Sequence, residues 1–181
     1  VCSSDLWGET PVTTIGEGVL AHREQEWMPV YNKAISLNEK GKLEKAKELI
    51  EVAMLIHPSR IENYTTLAIW YTEANDWEMA LNTIDRGLNI NDENSDLYQL
   101  KADISLQNND LKVAEESYLK AIKYSDDPGL IMRNLLYVYI DMGDNQRAID
   151  YANQLLNKFP YDADIYYNVG VLYQRMARGK E

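Results

Sequence analysis

The chain has 181 residues, of which 45% are hydrophobic and 26% charged, and its formal net charge is −11. This composition predicts a globular fold, and the negative charge disfavours both nucleic acid and anionic lipid as partners. One cysteine, Cys2, and two histidines, His22 and His57, are too few for a disulfide framework or a zinc site. We therefore expect neither a metal nor a cofactor. No apolar run reaches the roughly 18 residues that a transmembrane helix needs.

The first 26 residues do not share the periodic pattern of the rest of the chain. Back-translation of residues 1–6 gives GTG TGC TCT TCC GAT CT, which resembles the end of a sequencing-library adapter, and we interpret them as an assembly artefact. A lipoprotein-like start with an acylated Cys2 is the alternative, but no apolar segment precedes this cysteine. Residues 7–26 are expected to begin irregularly and then form a short capping helix, because Thr14 and Glu17 make a capping-box pattern.

From residue 27 onwards the sequence repeats itself every 34 residues. Such self-similarity is typical of a helical-repeat architecture. An alanine recurs in this register at Ala46, Ala80, Ala114 and Ala148, and further registers begin at Ala34, Tyr64 and Tyr71. We predict four complete repeats and the first helix of a truncated fifth, at residues 27–60, 61–94, 95–128, 129–162 and 163–181.

Each period contains two amphipathic stripes, which predict two helices joined by a short break. The break carries Gly or Asn, which tolerate the left-handed backbone that ends a helix, and the Asp that usually follows can cap the next helix. The stripe of one first helix is Tyr64, Leu67, Ala68 and Tyr71. The break positions are Gly41, Asn75, Asn109 and Gly143, and the capping positions are Asp76, Asp110 and Asp144.

This pattern resembles the tetratricopeptide repeat family. The family's first helix carries an aromatic residue, then Leu, then Gly or Ala, then Tyr. The matching residues in the last predicted helix are Tyr166, Val169, Gly170 and Tyr173. Lys33 and Lys101 replace the usual Leu, and Ser105 replaces a Tyr. The resemblance implies an all-α fold, a right-handed α-solenoid of antiparallel helix hairpins that pack through small residues.

The resemblance also implies that the first helices of the repeats line a concave groove. Acidic side chains outnumber basic ones at the inward positions, and tyrosines lie among them, which favours an extended peptide carrying Lys or Arg as the partner. A solvated helix face without a ligand is the alternative interpretation. The candidate groove residues are Tyr31, Ile35, Glu62, Thr66, Ile69, Gln99, Asp103, Arg133, Asn134, Tyr137, Tyr167 and Asn168.

One subclass of the family grips the C-terminal carboxylate of chaperones with Lys, Asn and Arg side chains. The corresponding positions here, counted from the first repeat, carry none of these residue types, so we do not expect a carboxylate clamp. They are Tyr31, Ile35, Thr66, Asp96 and Leu100.

These observations predict a protein that holds another protein and catalyses no reaction. Paired carboxylates such as Asp126 and Asp127 lie on predicted helix surfaces or turns, where nothing separates an acid from a base, so no catalytic residue is assigned. Self-association through the apolar stripe of the last helix is a further expectation. Two alternatives stay open: a bacterial cell-envelope assembly factor or lipoprotein, and a regulatory repeat segment of a larger multidomain enzyme. The compartment stays open between the cytoplasm and the bacterial periplasm or cell envelope.

Overall fold

A computed structural model describes residues 15–178, and within that range all regular secondary structure is α-helical. The described helices are α1 (Ile15–Glu39), α2 (Leu43–Ile56), α3 (Ile61–Glu73), α4 (Trp77–Leu88), α5 (Ser95–Gln107), α6 (Leu111–Tyr124), α7 (Gly129–Asp141), α8 (Asn145–Lys158) and α9 (Ala163–Arg178). Helix pairs joined by short turns confirm the predicted all-α helical-repeat fold. The interpretation of residues 1–6, including Cys2, lies outside the described residues. The exact division into repeats stays a prediction.

Helix α1 differs from the expectation for the beginning of the chain. We expected a short capping helix separate from the first repeat, but one helix of 25 residues continues from Ile15 to Glu39 with Pro29 inside it. The stretch between Gly18 and Pro29 holds neither glycine nor proline and is rich in helix-forming Glu, Gln, Ala and Leu, so nothing interrupts the helix there. Thr14, half of the predicted capping box, lies outside the described residues.

The chain divides into two compact units, Val1–Asn63 and Tyr64–Glu181. The described part of the first unit, which we call unit 1, is the hairpin of α1 and α2, whose core includes fully buried Ala34 and Ile50. Trp27 is also buried, and its indole Nε1 donates a hydrogen bond of 2.8 Å to Asn63 Oδ1. A buried polar group is therefore satisfied at the edge of this core.

The second unit, unit 2, contains the rest of α3 and helices α4 to α9. Its core is made from the positions that recur in the sequence, because the alanines of two registers are fully buried where neighbouring helices approach closely. These alanines are Ala68, Ala80, Ala102, Ala114 and Ala148. None of the helices between Ile15 and Arg178 is long and apolar enough to cross a membrane.

The turns within the hairpins confirm the predicted chemistry of the breaks. Asn75 and Asn109 have φ angles of 58° and 59°, and Gly41 and Gly143 have 71° and 72°, so all four adopt the left-handed conformation. The aspartates that follow three of these residues cap the next helix by accepting a backbone N–H bond. The acceptor–donor pairs are Asp76 with Met79, Asp110 with Val113, and Asp144 with Arg147.

Candidate peptide-binding surface

The first helices of unit 2 present a face that combines apolar and polar side chains; we call it the first-helix face. Ile69 on α3, Tyr137 on α7 and Tyr167 on α9 are 43%, 45% and 73% exposed. Large apolar and aromatic side chains held in solvent on one set of equivalent helices are typical of a binding surface. The other predicted groove residues of this face have half-buried side chains: Thr66, Gln99, Asp103, Asn134 and Asn168.

A cleft of about 240 Å³ lies between α3 and α5 on this face; we call it the α3–α5 cleft. It brings together two of the predicted residues, Ile69 and Asp103, and neither lysine nor arginine is among the residues that line it. The lining residues are Ile69, Thr72, Glu73, Leu100, Asp103, Ile104 and Gln107. The cleft therefore has apolar walls and two carboxylates.

A buried tyrosine from the second helix of the hairpin holds the carboxylate of Asp103. Tyr118 on α6 is 1% exposed, and its hydroxyl donates a hydrogen bond to Asp103 Oδ1. The Asn134 side chain on α7 also hydrogen-bonds to this hydroxyl, so Tyr118 links predicted residues of two neighbouring first helices. Burial raises the pKa of Asp103, and the hydrogen bond from Tyr118 offsets part of that rise. Burial and the nearby carboxylate raise the pKa of Tyr118, which keeps the phenol protonated as a donor.

Arg133 is engaged in a contact of its own at the start of the last hairpin. Its Nε lies 2.7 Å from Asp162 Oδ2, and its guanidinium carbon lies 5.1 Å from the centre of the Phe159 ring. The hydrogen bond from Arg133 lowers the pKa of Asp162. Arg133 thus connects α7 to the segment between α8 and α9, and its charge is neutralised there.

Three of the predicted groove residues belong to unit 1. Tyr31 stacks on Trp27 with ring centroids 4.8 Å apart, which favours a packing role. Glu62 is exposed and pairs with Arg60 at 3.2 Å, and Ile35 is half-buried. The candidate surface described here is therefore the first-helix face of unit 2.

Sequence reasoning did not select Thr72, Ile104 or Tyr118 for this surface. Thr72 and Ile104 lie at the sides of the apolar stripes, where helical periodicity does not separate wall positions from core positions. Tyr118 was interpreted as an aromatic of the second-helix pattern. No spacing in the sequence reveals that its hydroxyl reaches back to a side chain 15 residues earlier.

Residues 95–128 match the family model of the tetratricopeptide repeat. Among curated proteins, the photosystem I assembly protein Ycf3 of Synechococcus sp. (strain CC9902) is 29% identical over 96 residues, covering 50% of this chain and 56% of that protein. The chain spans about half the length of the curated relatives it matches.

Solved structures with the same fold include MamA and YrrB. MamA superposes with a TM-score of 0.65 at 16% identity, covering 80% of this chain and 84% of that one. YrrB, described as a TPR protein with an unusual peptide-binding site, gives 0.63 at 18% identity and covers 91% and 84%. At these identities the likeness shows the fold. With the family match and the 34-residue register, it establishes that the chain is a tetratricopeptide repeat protein.

Proposed function

We propose that this chain is a non-catalytic protein-interaction scaffold that binds an extended peptide segment along the first-helix face of unit 2. Tetratricopeptide repeat proteins are generally scaffolds of this kind. The observation that carries the proposal is the set of exposed Ile69, Tyr137 and Tyr167 on equivalent helices. Burying such side chains against a partner removes apolar area from water, and tyrosines are favoured as anchors of binding energy.

Charge supports a peptide that is basic rather than acidic. The chain carries a net charge of −11, and the α3–α5 cleft holds two carboxylates and no basic residue. The arginine of the predicted groove, Arg133, is already neutralised by Asp162. Electrostatic complementarity therefore favours a partner segment with lysine or arginine, chiefly through faster association and discrimination against acidic segments.

The proposal is tested by measuring peptide binding to the purified chain and to matched variants. Ile69→Ala and Tyr137→Ala are expected to weaken retention of peptides from a random 12-residue library, because each removes exposed area from the proposed surface. Leu119→Ala and Tyr161→Ala are the controls, since both side chains are also exposed but lie on the second helix α6 and in the turn before α9. Equal loss in the control variants, or no retained peptide with the unaltered chain, would contradict the proposal.

An assembly role is a second candidate, supported by the names of the curated relatives, which are photosystem I assembly proteins. An assembly factor would hold subunits of one complex before they join it, whether in the bacterial envelope or elsewhere. Affinity purification of the tagged chain from its host, with mass spectrometry, tests this candidate. Recovery of several subunits of one complex supports it, and recovery of a catalytic chain fused to these repeats favours the regulatory-segment alternative instead.

A second copy of the chain is a further candidate partner, through α9. Tyr166 and Tyr173 are more than half exposed, and nothing lies within 4 Å of a Cβ built on Gly170. An antiparallel pair of α9 helices would place Tyr166 opposite the other copy's Tyr173 with Gly170 near the crossing, as a two-fold interface requires. Sedimentation of Gly170→Arg against the control Tyr161→Arg tests it. An unchanged oligomeric state in Gly170→Arg would contradict it.

A further inference from the structure

The α3–α5 cleft has a chemistry that selects one kind of side chain from a bound peptide. Resting on the proposed function, we propose that the cleft is a subsite for a single lysine or arginine side chain of the partner peptide, with Glu73 and Asp103 as its specificity-determining residues. The exposed apolar residues of the same face would contact the rest of the peptide.

The lining of the cleft matches the two parts of a long cationic side chain. Ile69, Leu100 and Ile104 provide an apolar wall for the methylene groups of lysine or arginine. The carboxylates of Glu73 and Asp103 provide acceptors for the ammonium or guanidinium group. A purely apolar side chain would cover the carboxylates without replacing their hydration, and an acidic one would be repelled.

The carboxylates in the cleft differ from other shielded carboxylates of unit 2 in having no cation beside them. The side chains of Glu115 and Asp162 are 19% and 11% exposed, and each lies within 2.7 Å of an arginine nitrogen, of Arg147 and Arg133 respectively. Among residues 15–178, no lysine or arginine forms an ion pair with Asp103, whose partner is the neutral Tyr118 hydroxyl. A half-buried carboxylate without a counter-charge favours a cation supplied from outside.

The hydrogen bond from Tyr118 orients Asp103 for this task. Because Tyr118 is almost fully buried and also bonded to Asn134, its hydroxyl is held by the packing of α5, α6 and α7. A carboxylate that keeps one oxygen on a fixed donor presents its remaining lone pairs in a defined direction, which reduces the ordering cost of binding a ligand. Tyr118 is thus a positioning residue.

The test is a positional-scanning library of 12-residue peptides, in which one position at a time is fixed as Lys, Arg, Leu or Glu. With the unaltered chain, we expect enrichment of Lys or Arg over Leu by about tenfold at one position, the effect of a hydrogen bond to a charged group. In Asp103→Asn and Glu73→Gln this enrichment should fall while the enrichment of aromatic and apolar residues at other positions persists. Tyr118→Phe should lower it partly.

Asp96→Asn is the matched control, because Asp96 is an exposed acid in the first turn of the same helix, outside the cleft. Its cationic enrichment should equal that of the unaltered chain, and circular dichroism melts show which variants remain folded. Retained peptides without a cationic preference, or a preference that Asp103→Asn and Glu73→Gln leave unchanged, would overturn the subsite alone. Failure of the unaltered chain to retain any peptide class would overturn the proposed function itself, and the subsite with it.

Discussion

Helices α5 and α9 occupy equivalent positions 68 residues apart, yet their apolar stripes have different fates. The stripe that faces the preceding helix is buried in both, with Leu97 matching Ile165 and Ile104 matching Leu172. The other stripe is covered only in α5, where Tyr98 is 8% exposed while its counterpart Tyr166 is 54% exposed.

The cause of this difference is the helix that follows. Helix α6 packs on α5, and Tyr124 stacks on Tyr98 with ring centroids 5.9 Å apart. Among the described helices, α9 packs on α8. A repeat helix therefore carries two apolar stripes for two different neighbours, and each stripe is buried only where its own neighbour is present.

The largest effect is expected on the stripe that both helices bury. Leu97→Ala should lower the free energy of unfolding by about 2–5 kcal/mol, because it leaves a cavity in a fully buried site. Urea denaturation followed by circular dichroism measures the change. The control is Ile90→Ala, at a half-exposed position between α4 and α5, which should stay within about 0.5 kcal/mol. Equal effects of the two changes would contradict the assignment of this stripe to the core.

The second stripe should respond with opposite signs in the two helices. Ala102→Leu should destabilise unit 2 by about 1–3 kcal/mol, because Ala102 is fully buried and the added atoms have no room. Gly170→Leu should be neutral or stabilising by up to about 1 kcal/mol, since the space beside Gly170 is open and leucine favours a helix. The same denaturation experiment compares them. A destabilising Gly170→Leu would mean that the α9 face is covered in solution, and would favour self-association.

The turns should show a smaller difference between glycine and asparagine. Gly143→Ala is expected to cost about 1 kcal/mol, because alanine disfavours the left-handed backbone at a φ of 72°. Asn109→Gly should change stability by a few tenths of a kcal/mol, because asparagine already tolerates that conformation. Thermal melts of both variants measure this, and a large loss in Asn109→Gly would indicate a side-chain contact that the turn geometry does not explain.

The smallest effects should come from two aspartates with opposite pKa shifts, Asp103 on α5 and Asp162 before α9. Asp162 has a lowered pKa, so its contribution to stability is present above the ordinary aspartate pKa and is lost as pH falls through its lowered pKa. Asp103 has a raised pKa, so its ionisation lowers stability increasingly as pH rises from the ordinary value through the raised one.

Melting temperatures at neutral pH should therefore fall in Asp162→Asn and rise slightly in Asp103→Asn, where the amide oxygen still accepts the bond from Tyr118. Both differences should shrink when the melts are repeated below the ordinary aspartate pKa. The same sign of change for both variants at neutral pH would contradict the opposed shifts.

Much of the fold was predictable because it depends on local chemistry. The left-handed turn residue Asn109 and the capping Asp110 each act on a backbone that is near in sequence, so spacing alone identified them. The burial of Ala114 was predictable for a similar reason, since a small residue recurring every 34 residues marks a close helix crossing. The continuity of α1 through Pro29 was not predicted, because a proline usually interrupts a helix.

The candidate site was predictable as a face but not as a set of contacts. Periodicity placed Ile69 and Asp103 on the same side of successive first helices, which the α3–α5 cleft unites. Periodicity did not place Arg133 against Asp162, because that contact joins residues 29 apart through the return of the chain after α8.

The sequence by itself determined the class of this protein: helices, turns, caps and the stripes that must be buried, because these depend on residue type and on spacing within one or two helical turns. Tertiary structure alone decided which side chains meet across helices. The Tyr118 hydrogen bond to Asp103, the pairing of Arg133 with Asp162 and the walls of the α3–α5 cleft arise from packing between helices. Such contacts depend on rotamers and on ångström-scale helix positions, which a one-dimensional pattern does not record.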